Sequence, residues 1–156
     1  MNNKYVKLHS LLRMLGALLA IIVFISMFAT KMVVHVEYSN VFYDFNSGAF
    51  FGDSSCKGNV FGFFGYLFVL LGGLAGLAFV FIDELIGKDL TKKLAFVAGG
   101  LALAGGLLIL LFAPMFIGIN NYKNLTTGAG PIVFGIFGVI VGAINIAAPI
   151  LDDKGR

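Results

Sequence analysis

The chain has 156 residues, 59% of them hydrophobic and only 12% charged, with a formal net charge of +3. A soluble domain has about 25% charged residues and about 45–50% apolar ones. The polar side chains here cannot cover the apolar surface in water, so lipid is the expected solvent. The basic residues form short groups beside apolar segments instead of one continuous stripe, which favours membrane orientation over nucleic-acid binding.

Four apolar stretches follow one another along the chain, separated by polar or charged residues. Each has the roughly 20 residues that a helix needs to cross about 30 Å of hydrocarbon. Helices are expected because an open strand would leave its backbone polar groups unpaired in lipid. The sequence therefore predicts an all-α integral membrane protein, a single four-helix domain over residues 1–156. The predicted spans are residues 14–34, 60–82, 94–119 and 131–151.

The first apolar stretch follows Lys4, Lys7 and Arg13, as the core of a signal peptide would. The stretch is longer than a signal peptide needs, and the residues before Ala29 do not form the small-x-small pattern of a cleavage site. We therefore expect an uncleaved first helix, with removal of that helix as the alternative.

The distribution of lysine and arginine predicts the orientation, because these residues favour cytoplasmic loops. Eight of the eleven lie in the two termini and in loop 83–93, and the other three lie in or beside loops 35–59 and 120–130. We predict a multi-pass cell-membrane protein with cytoplasmic termini, one inner loop and two outer loops. Abundant Phe, Ile, Leu and Lys without Trp indicates a bacterial source. Cys56, the only cysteine, should react with a membrane-impermeant maleimide in intact cells.

The first outer loop combines a strand pattern with many aromatic side chains. Val34, Val36 and Tyr38 alternate with polar residues, which predicts a short β-strand. The aromatic candidates for interaction are Tyr38, Phe42, Tyr43, Phe45, Phe50 and Phe51. Two hypotheses remain open for them: they lie on the membrane surface or cap the bundle, or they form a patch for a partner protein or an apolar ligand.

Glycine is abundant, with 21 residues, and much of it lies inside the predicted spans. Small residues allow membrane helices to approach closely, so these faces are expected to form seams inside the bundle or an interface with another subunit. Asn145 continues one such face, where its amide is expected to bond across helices or to lie on a substrate path. The candidates for helix packing are Gly72, Gly76, Gly135, Gly138, Gly142 and Asn145.

The ionisable residues are concentrated outside the spans, which disfavours a proton relay or an ion transporter. The mixed charges of loop 83–93 predict a solvated inner loop, with docking of a cytoplasmic partner as the alternative. Pro114, inside the third span, predicts a kink that is either structural or part of a gate.

The sequence contains no catalytic motif: G-x-S-x-G, the P-loop, H-E-x-x-H and the dinucleotide fingerprint are all absent. One cysteine and two widely separated histidines do not form a usual zinc motif. We therefore expect no enzyme activity, no cofactor and no metal. The leading hypothesis is a structural or accessory subunit that contacts lipid and other membrane subunits or itself. The alternatives are a transporter or channel for a neutral or apolar solute, with a path through Asn145, Ser26 and Thr30, and a membrane-embedded enzyme.

The predicted plan resembles that of claudin-like tetraspan proteins in its topology: four helices, inner termini and a long first outer loop. Claudins carry a Trp and two Cys in that loop, whereas this chain has no Trp and only Cys56. The resemblance therefore implies a topology and no activity or partner.

Overall fold

The computed structural model describes residues 3–35, 47–52, 56–121 and 125–154. Four long helices dominate this part of the chain: α1 (Asn3–Ala29), α2 (Val60–Ile86), α3 (Lys88–Asn120) and α4 (Ala129–Lys154). They pack as an antiparallel bundle in which they follow one another around a ring in chain order. Helices α2 and α4 also touch across the diagonal. The predicted all-α four-helix membrane bundle is confirmed.

Each helix contains a segment long and apolar enough to cross a membrane, from the 22 residues of Leu8–Ala29 to the 33 residues of Lys88–Asn120. Large apolar side chains such as Leu18, Ile25 and Val97 project from the outside of the bundle. Such a surface is stable in contact with acyl chains and not in contact with water. The protein is therefore embedded in a membrane.

The first helix ends at Ala29, five residues before the predicted end of the first span at Val34. The backbone N–H of Thr30 still donates to the Ser26 carbonyl oxygen at 3.0 Å, and the chain then becomes extended. Its strand β1 (Val33–His35) pairs antiparallel with β2 (Leu125–Thr127). The predicted strand is thus present up to His35, and residues 36–38 lie outside the described part.

Residues 83–93, predicted as the inner loop, are almost all helical in the structure. Helix α2 continues to Ile86 and α3 begins at Lys88, so Gly87 alone connects them. Gly87 has a φ of 83°, a left-handed value that glycine adopts without steric cost. Thr91 stabilises the start of α3, because its N–H and its hydroxyl both donate to the Gly87 carbonyl oxygen, at 3.1 and 3.0 Å. Charged residues at the ends of membrane helices give the same sequence pattern as a solvated loop, so the pattern alone does not separate the two.

Pro114 lies inside α3, which continues unbroken to Asn120. Pro131 lies in the first turn of α4, where its missing N–H would have no intrahelical partner in any case.

Candidate functional site

The seam between α3 and α4 consists of glycines whose backbones touch. A Cβ built on Gly106 would lie 2.6 Å from the Val139 nitrogen, and one built on Gly138 would lie 2.8 Å from the Gly106 Cα. A Cβ on Gly142 would lie 2.8 Å from the Gly99 carbonyl oxygen. Only glycine permits backbones this close in this geometry. Gly135, on the same face of α4, packs against Leu110 of α3.

The seam between α2 and α3 is built in the same way. Gly65 and Gly105 face each other, and a Cβ on either would lie within 3.0 Å of the other's carbonyl oxygen. Further along α2, a Cβ on Gly72 would lie 2.6 Å from the Ala98 carbonyl oxygen and 2.8 Å from the Ala102 Cβ. The glycines predicted to pack therefore lie at contacts within the bundle.

Asn145 connects the diagonal pair of helices, α4 and α2. Its Nδ2 donates to the Gly72 carbonyl oxygen at 2.9 Å, and its Oδ1 packs against the Cα of Gly76. No described group donates a hydrogen bond to that Oδ1. The side chain is fully buried, so it acts as a polar bridge within an otherwise apolar section. Gly16 of α1 lies beside the same Asn145 side chain.

Arg13 is a buried cation, although its place before the first apolar stretch predicts a flanking charge on the cytoplasmic side. It lies within the membrane-crossing segment of α1 and is only 5% exposed. Gly16, one turn further along α1, packs against Ile144 and Asn145 of α4, so Arg13 lies in the half of the bundle nearer to Gly87, which we call the inner half after the predicted orientation. Arg13 lies four residues before Ala17 and seven before Ala20, both of which are buried. Residues at this spacing share one face of a helix, so the spacing predicts that Arg13 faces the inside of the bundle.

The polar path predicted through Asn145, Ser26 and Thr30 is not assembled in the structure. The Ser26 hydroxyl donates to the Val23 carbonyl oxygen at 2.6 Å, and the Thr30 hydroxyl donates to the Ser26 carbonyl oxygen at 2.9 Å. Both hydroxyls are therefore satisfied within α1. Ser26 also lies ten residues beyond Gly16, which is about 15 Å along the helix axis from the level of Asn145.

Phe50 fills the end of the bundle that carries β1 and β2, which we call the outer end after the predicted orientation. It lies in a short 3-10 helix (Ser47–Phe50) and is 1% exposed. Its ring centroid is 4.9 Å from that of Phe112 and 5.9 Å from that of Tyr66. Gly62 provides the space for this ring, since a Cβ there would lie 2.6 Å from Phe50 Cε1. Phe50 is therefore part of the core and is not available as a contact surface.

Phe51, the next residue, points the other way and is 69% exposed. Its ring begins a series of ring contacts that runs along the outside of α2, which we name the outer aromatic ladder. The ring centroids are 5.5 Å apart between Phe51 and Phe63, 6.0 Å between Phe63 and Phe64, and 6.1 Å between Phe64 and Phe68. The other outer-loop candidates, Tyr38, Phe42, Tyr43 and Phe45, lie outside the described residues.

The segment that carries Phe50 is tied to the outer end of α3, and we name its described part, residues 47–52 and 56–59, the outer strap. Asn120 holds it with a reciprocal pair of hydrogen bonds: the Lys57 N–H donates to Asn120 Oδ1 at 2.7 Å, and Asn120 Nδ2 donates to the Lys57 carbonyl oxygen at 2.9 Å. The Asn59 N–H donates to the Ala49 carbonyl oxygen at 3.0 Å. Cys56 lies within the strap and is only 8% exposed, so it is a poor reporter of topology.

Among the described residues, no three His, Cys, Asp or Glu side chains are grouped closely enough to hold a metal ion. A scan against models of protein families finds no match, and a search of curated proteins finds none either. The fold itself defines the class: a membrane-embedded bundle of four helices with a glycine-packed interior.

Proposed function

We propose that this protein is a non-enzymatic structural or accessory subunit of a membrane complex. One observation carries the proposal: the interior is filled by direct backbone contacts at Gly106–Gly138 and Gly65–Gly105, with Phe50 filling the outer end. An interior packed in this way leaves the outer surfaces for interaction. The proposed setting is a bacterial cell membrane with both termini in the cytoplasm, supported by the lysine and arginine distribution.

The outer aromatic ladder is the proposed contact for a partner subunit. The glycines of the two seams are used within the bundle, so they do not remain for a partner, whereas Phe51 and Phe64 of the ladder are exposed. Aromatic side chains supply large rigid contact areas and dominate many interfaces.

The test is site-specific photo-crosslinking in native membranes, followed by mild solubilisation and mass spectrometry. A photoreactive phenylalanine replaces Phe51 in one variant and Phe81 in the matched control. Both native side chains are 69% exposed, but Phe81 lies at the inner end of α2. We expect one stoichiometric partner to crosslink at position 51 and not at position 81. A protein that crosslinks to nothing and catalyses saturable solute flux in liposomes contradicts the proposal.

A second candidate function, a small transporter or channel subunit for a neutral or apolar solute, is favoured by the buried Arg13. Ionisable groups inside a membrane bundle commonly mark a substrate path, and Asn145 lies about one turn away along α1 and α4. Flux assays in liposomes that compare wild type with Arg13→Lys and Arg13→Leu test it. A transport role predicts saturable flux that both variants reduce, and the absence of flux for a panel of neutral solutes contradicts it.

A further inference from the structure

The outer strap is built as a small unit of its own, separate from the four helices. Its two halves are joined by the hydrogen bond from the Asn59 N–H to the Ala49 carbonyl oxygen at 3.0 Å and by a β-bridge between Gly52 and Lys57. Gly52 and Gly58 let the halves cross in direct backbone contact, because a Cβ on either would overlap the other half. These contacts hold the described residues of the strap together as one body.

Described polar contacts join the strap to the bundle on its two sides. On one side the chain continues directly into α2 at Asn59, whose Oδ1 accepts a hydrogen bond from the Phe61 N–H at 3.2 Å and so caps that helix. On the other side are the two exposed hydrogen bonds between Lys57 and Asn120. Water competes for exposed hydrogen bonds, so this side is the easier one to release. Asn59 is therefore the hinge of the strap and Asn120 is its latch.

The strap inserts one side chain, Phe50, between α2 and α3. The ring lies against Phe112 and Tyr66, with centroid distances of 4.9 and 5.9 Å, and beside Gly62, where a Cβ would lie 2.6 Å from Phe50 Cε1. We name the space between these three helical residues the aromatic slot. The ring that fills the slot belongs to the strap and not to a helix, so a movement of the strap alone would vacate it.

Two buried donors beside the strap lack a strong hydrogen-bond acceptor while the slot is filled by Phe50. The described acceptor of the Tyr66 hydroxyl is Met32 Sδ, at 3.5 Å, and a thioether sulfur accepts only weakly. No described group accepts a hydrogen bond from Asn59 Nδ2, although Asn59 is only 2% exposed. Poorly satisfied buried donors raise the free energy of this closed arrangement. Lifting the strap would let water reach the Asn59 amide, and a ligand with an acceptor would satisfy Tyr66.

We propose that the outer strap is a lid and that the aromatic slot binds a small aromatic carbonyl compound from the lipid phase. The ring of the ligand replaces the Phe50 ring against Tyr66 and Phe112. Its carbonyl oxygen accepts the hydrogen bond that the Tyr66 hydroxyl otherwise gives to Met32 Sδ. The slot selects this chemical class, because its aromatic walls favour a flat ring and its hydroxyl favours one strong acceptor.

The test uses purified full-length protein in one detergent, with acetophenone and α-methylstyrene as the two probes. These compounds have the same shape, but only acetophenone has a carbonyl oxygen. Cys56 belongs to the same buried cluster as Phe50, so the rate at which its thiol reacts with maleimide reports displacement of the strap. We expect both probes to accelerate labelling of wild type until the rate saturates. Acetophenone should half-saturate at an about fivefold lower concentration, because one hydrogen bond distinguishes the two probes.

Three variants separate the parts of the site. Tyr66→Phe should remove the difference between the two probes, because it has no hydroxyl to donate. Phe50→Leu keeps most of the apolar volume but fits the aromatic walls less well, so acetophenone should half-saturate it at an about fivefold lower concentration than wild type. Phe51→Leu is the matched control: the native ring is 69% exposed, and this variant should respond to both probes as wild type does.

Labelling of wild type that neither probe changes, up to the limit of solubility, overturns the proposal. So does an equal response to both probes in wild type, because general loosening of the protein by an organic solute would produce it. A preference for acetophenone that persists in Tyr66→Phe places the binding elsewhere and overturns it as well. If Phe50→Leu fails to fold, the comparison of wild type with Tyr66→Phe still decides the matter.

This inference goes beyond the proposed accessory role, because the slot lies inside the bundle whereas the outer aromatic ladder lies on its surface. The labelling experiment uses the isolated protein and needs no partner subunit. A negative result there leaves the photo-crosslinking experiment unaffected, and the absence of a crosslinked partner leaves the lid unaffected. The two proposals therefore fail separately.

Discussion

At the scale of single residues, the least expected feature is a buried hydrogen bond that spans the diagonal of the bundle. Asn145 reaches from α4 to the Gly72 carbonyl oxygen of α2, and Gly76 has no side chain that would obstruct the amide. The two glycines and the asparagine therefore act as one unit. A change in any of them disturbs packing and hydrogen bonding together.

Asn145→Leu should insert and fold but unfold at a lower temperature in detergent. The variant loses an interhelical hydrogen bond, worth about 0.6–2 kcal/mol, and places a branched side chain against Gly76. Ala143→Leu, on the exposed side of the same helix, is the control and should unfold near the wild-type temperature. Loss of a measurable activity in Asn145→Leu with full thermal stability would contradict a purely structural role for this residue.

Glycine to alanine substitutions should have opposite effects at two positions. In Gly138→Ala the new Cβ would lie 2.8 Å from the Gly106 Cα, so the two backbones must separate, at a cost of about 1–3 kcal/mol. Gly100→Ala meets open space and should be neutral or stabilising by up to about 1 kcal/mol, because alanine favours the helix. Unfolding in mixed micelles with increasing SDS measures both. If both variants lower the stability equally, close contact between helices is not what makes Gly138 differ from Gly100.

At the scale of elements, two neighbouring residues of the outer strap allow its contribution to the stability of the protein to be measured. Phe50 and Phe51 are neighbours in sequence with opposite surroundings, one within the aromatic core and one exposed. Phe50→Ala should leave a cavity between Tyr66 and Phe112 and destabilise the protein by about 3–5 kcal/mol. Phe51→Ala should change stability by less than about 0.5 kcal/mol. Melting curves in one detergent provide the comparison, and similar losses would show that Phe50 is not a core residue.

Asn120 should control how tightly the strap is held. Asn120→Ala removes both of its bonds to Lys57 and the bond from Nδ2 to the Phe116 carbonyl oxygen. We expect the buried Cys56 thiol to react with maleimide several times faster in this variant. Thr126→Ala, at an exposed position of β2, is the control. An unchanged rate of labelling would mean that the strap is held mainly by Phe50.

At the scale of the whole molecule, the orientation can be tested with cysteines at exposed positions in a Cys56→Ala background. Thr126 lies in β2 and Asp89 lies in the first turn of α3, at opposite ends of the bundle, and both are exposed. A membrane-impermeant maleimide should label Thr126→Cys in intact cells and Asp89→Cys only after lysis. The reverse pattern would place the termini outside the cytoplasm.

The four spans were predictable because apolar runs of this length have one stable form in lipid. Glycine spacing also indicated which faces could pack closely. The details that depend on a partner segment were not predictable in the same way. β2 has only three residues, too few to show a period, and β1 needs it as a partner. The burial of Arg13 is not evident from its flanking position and follows only from the helix face that it shares with the buried Ala17.

The single-residue connection at Gly87 has a consequence for the assembly of the protein. Helices α2 and α3 are joined by this one residue, so once both span the bilayer their ends at Gly87 lie side by side and the two helices form a hairpin. The pairing of β1 with β2 requires a segment of the chain that is synthesised after α2 and α3. The strand that follows α1 therefore has no partner until Leu125–Thr127 has been made, and their pairing then joins the first helix to the fourth.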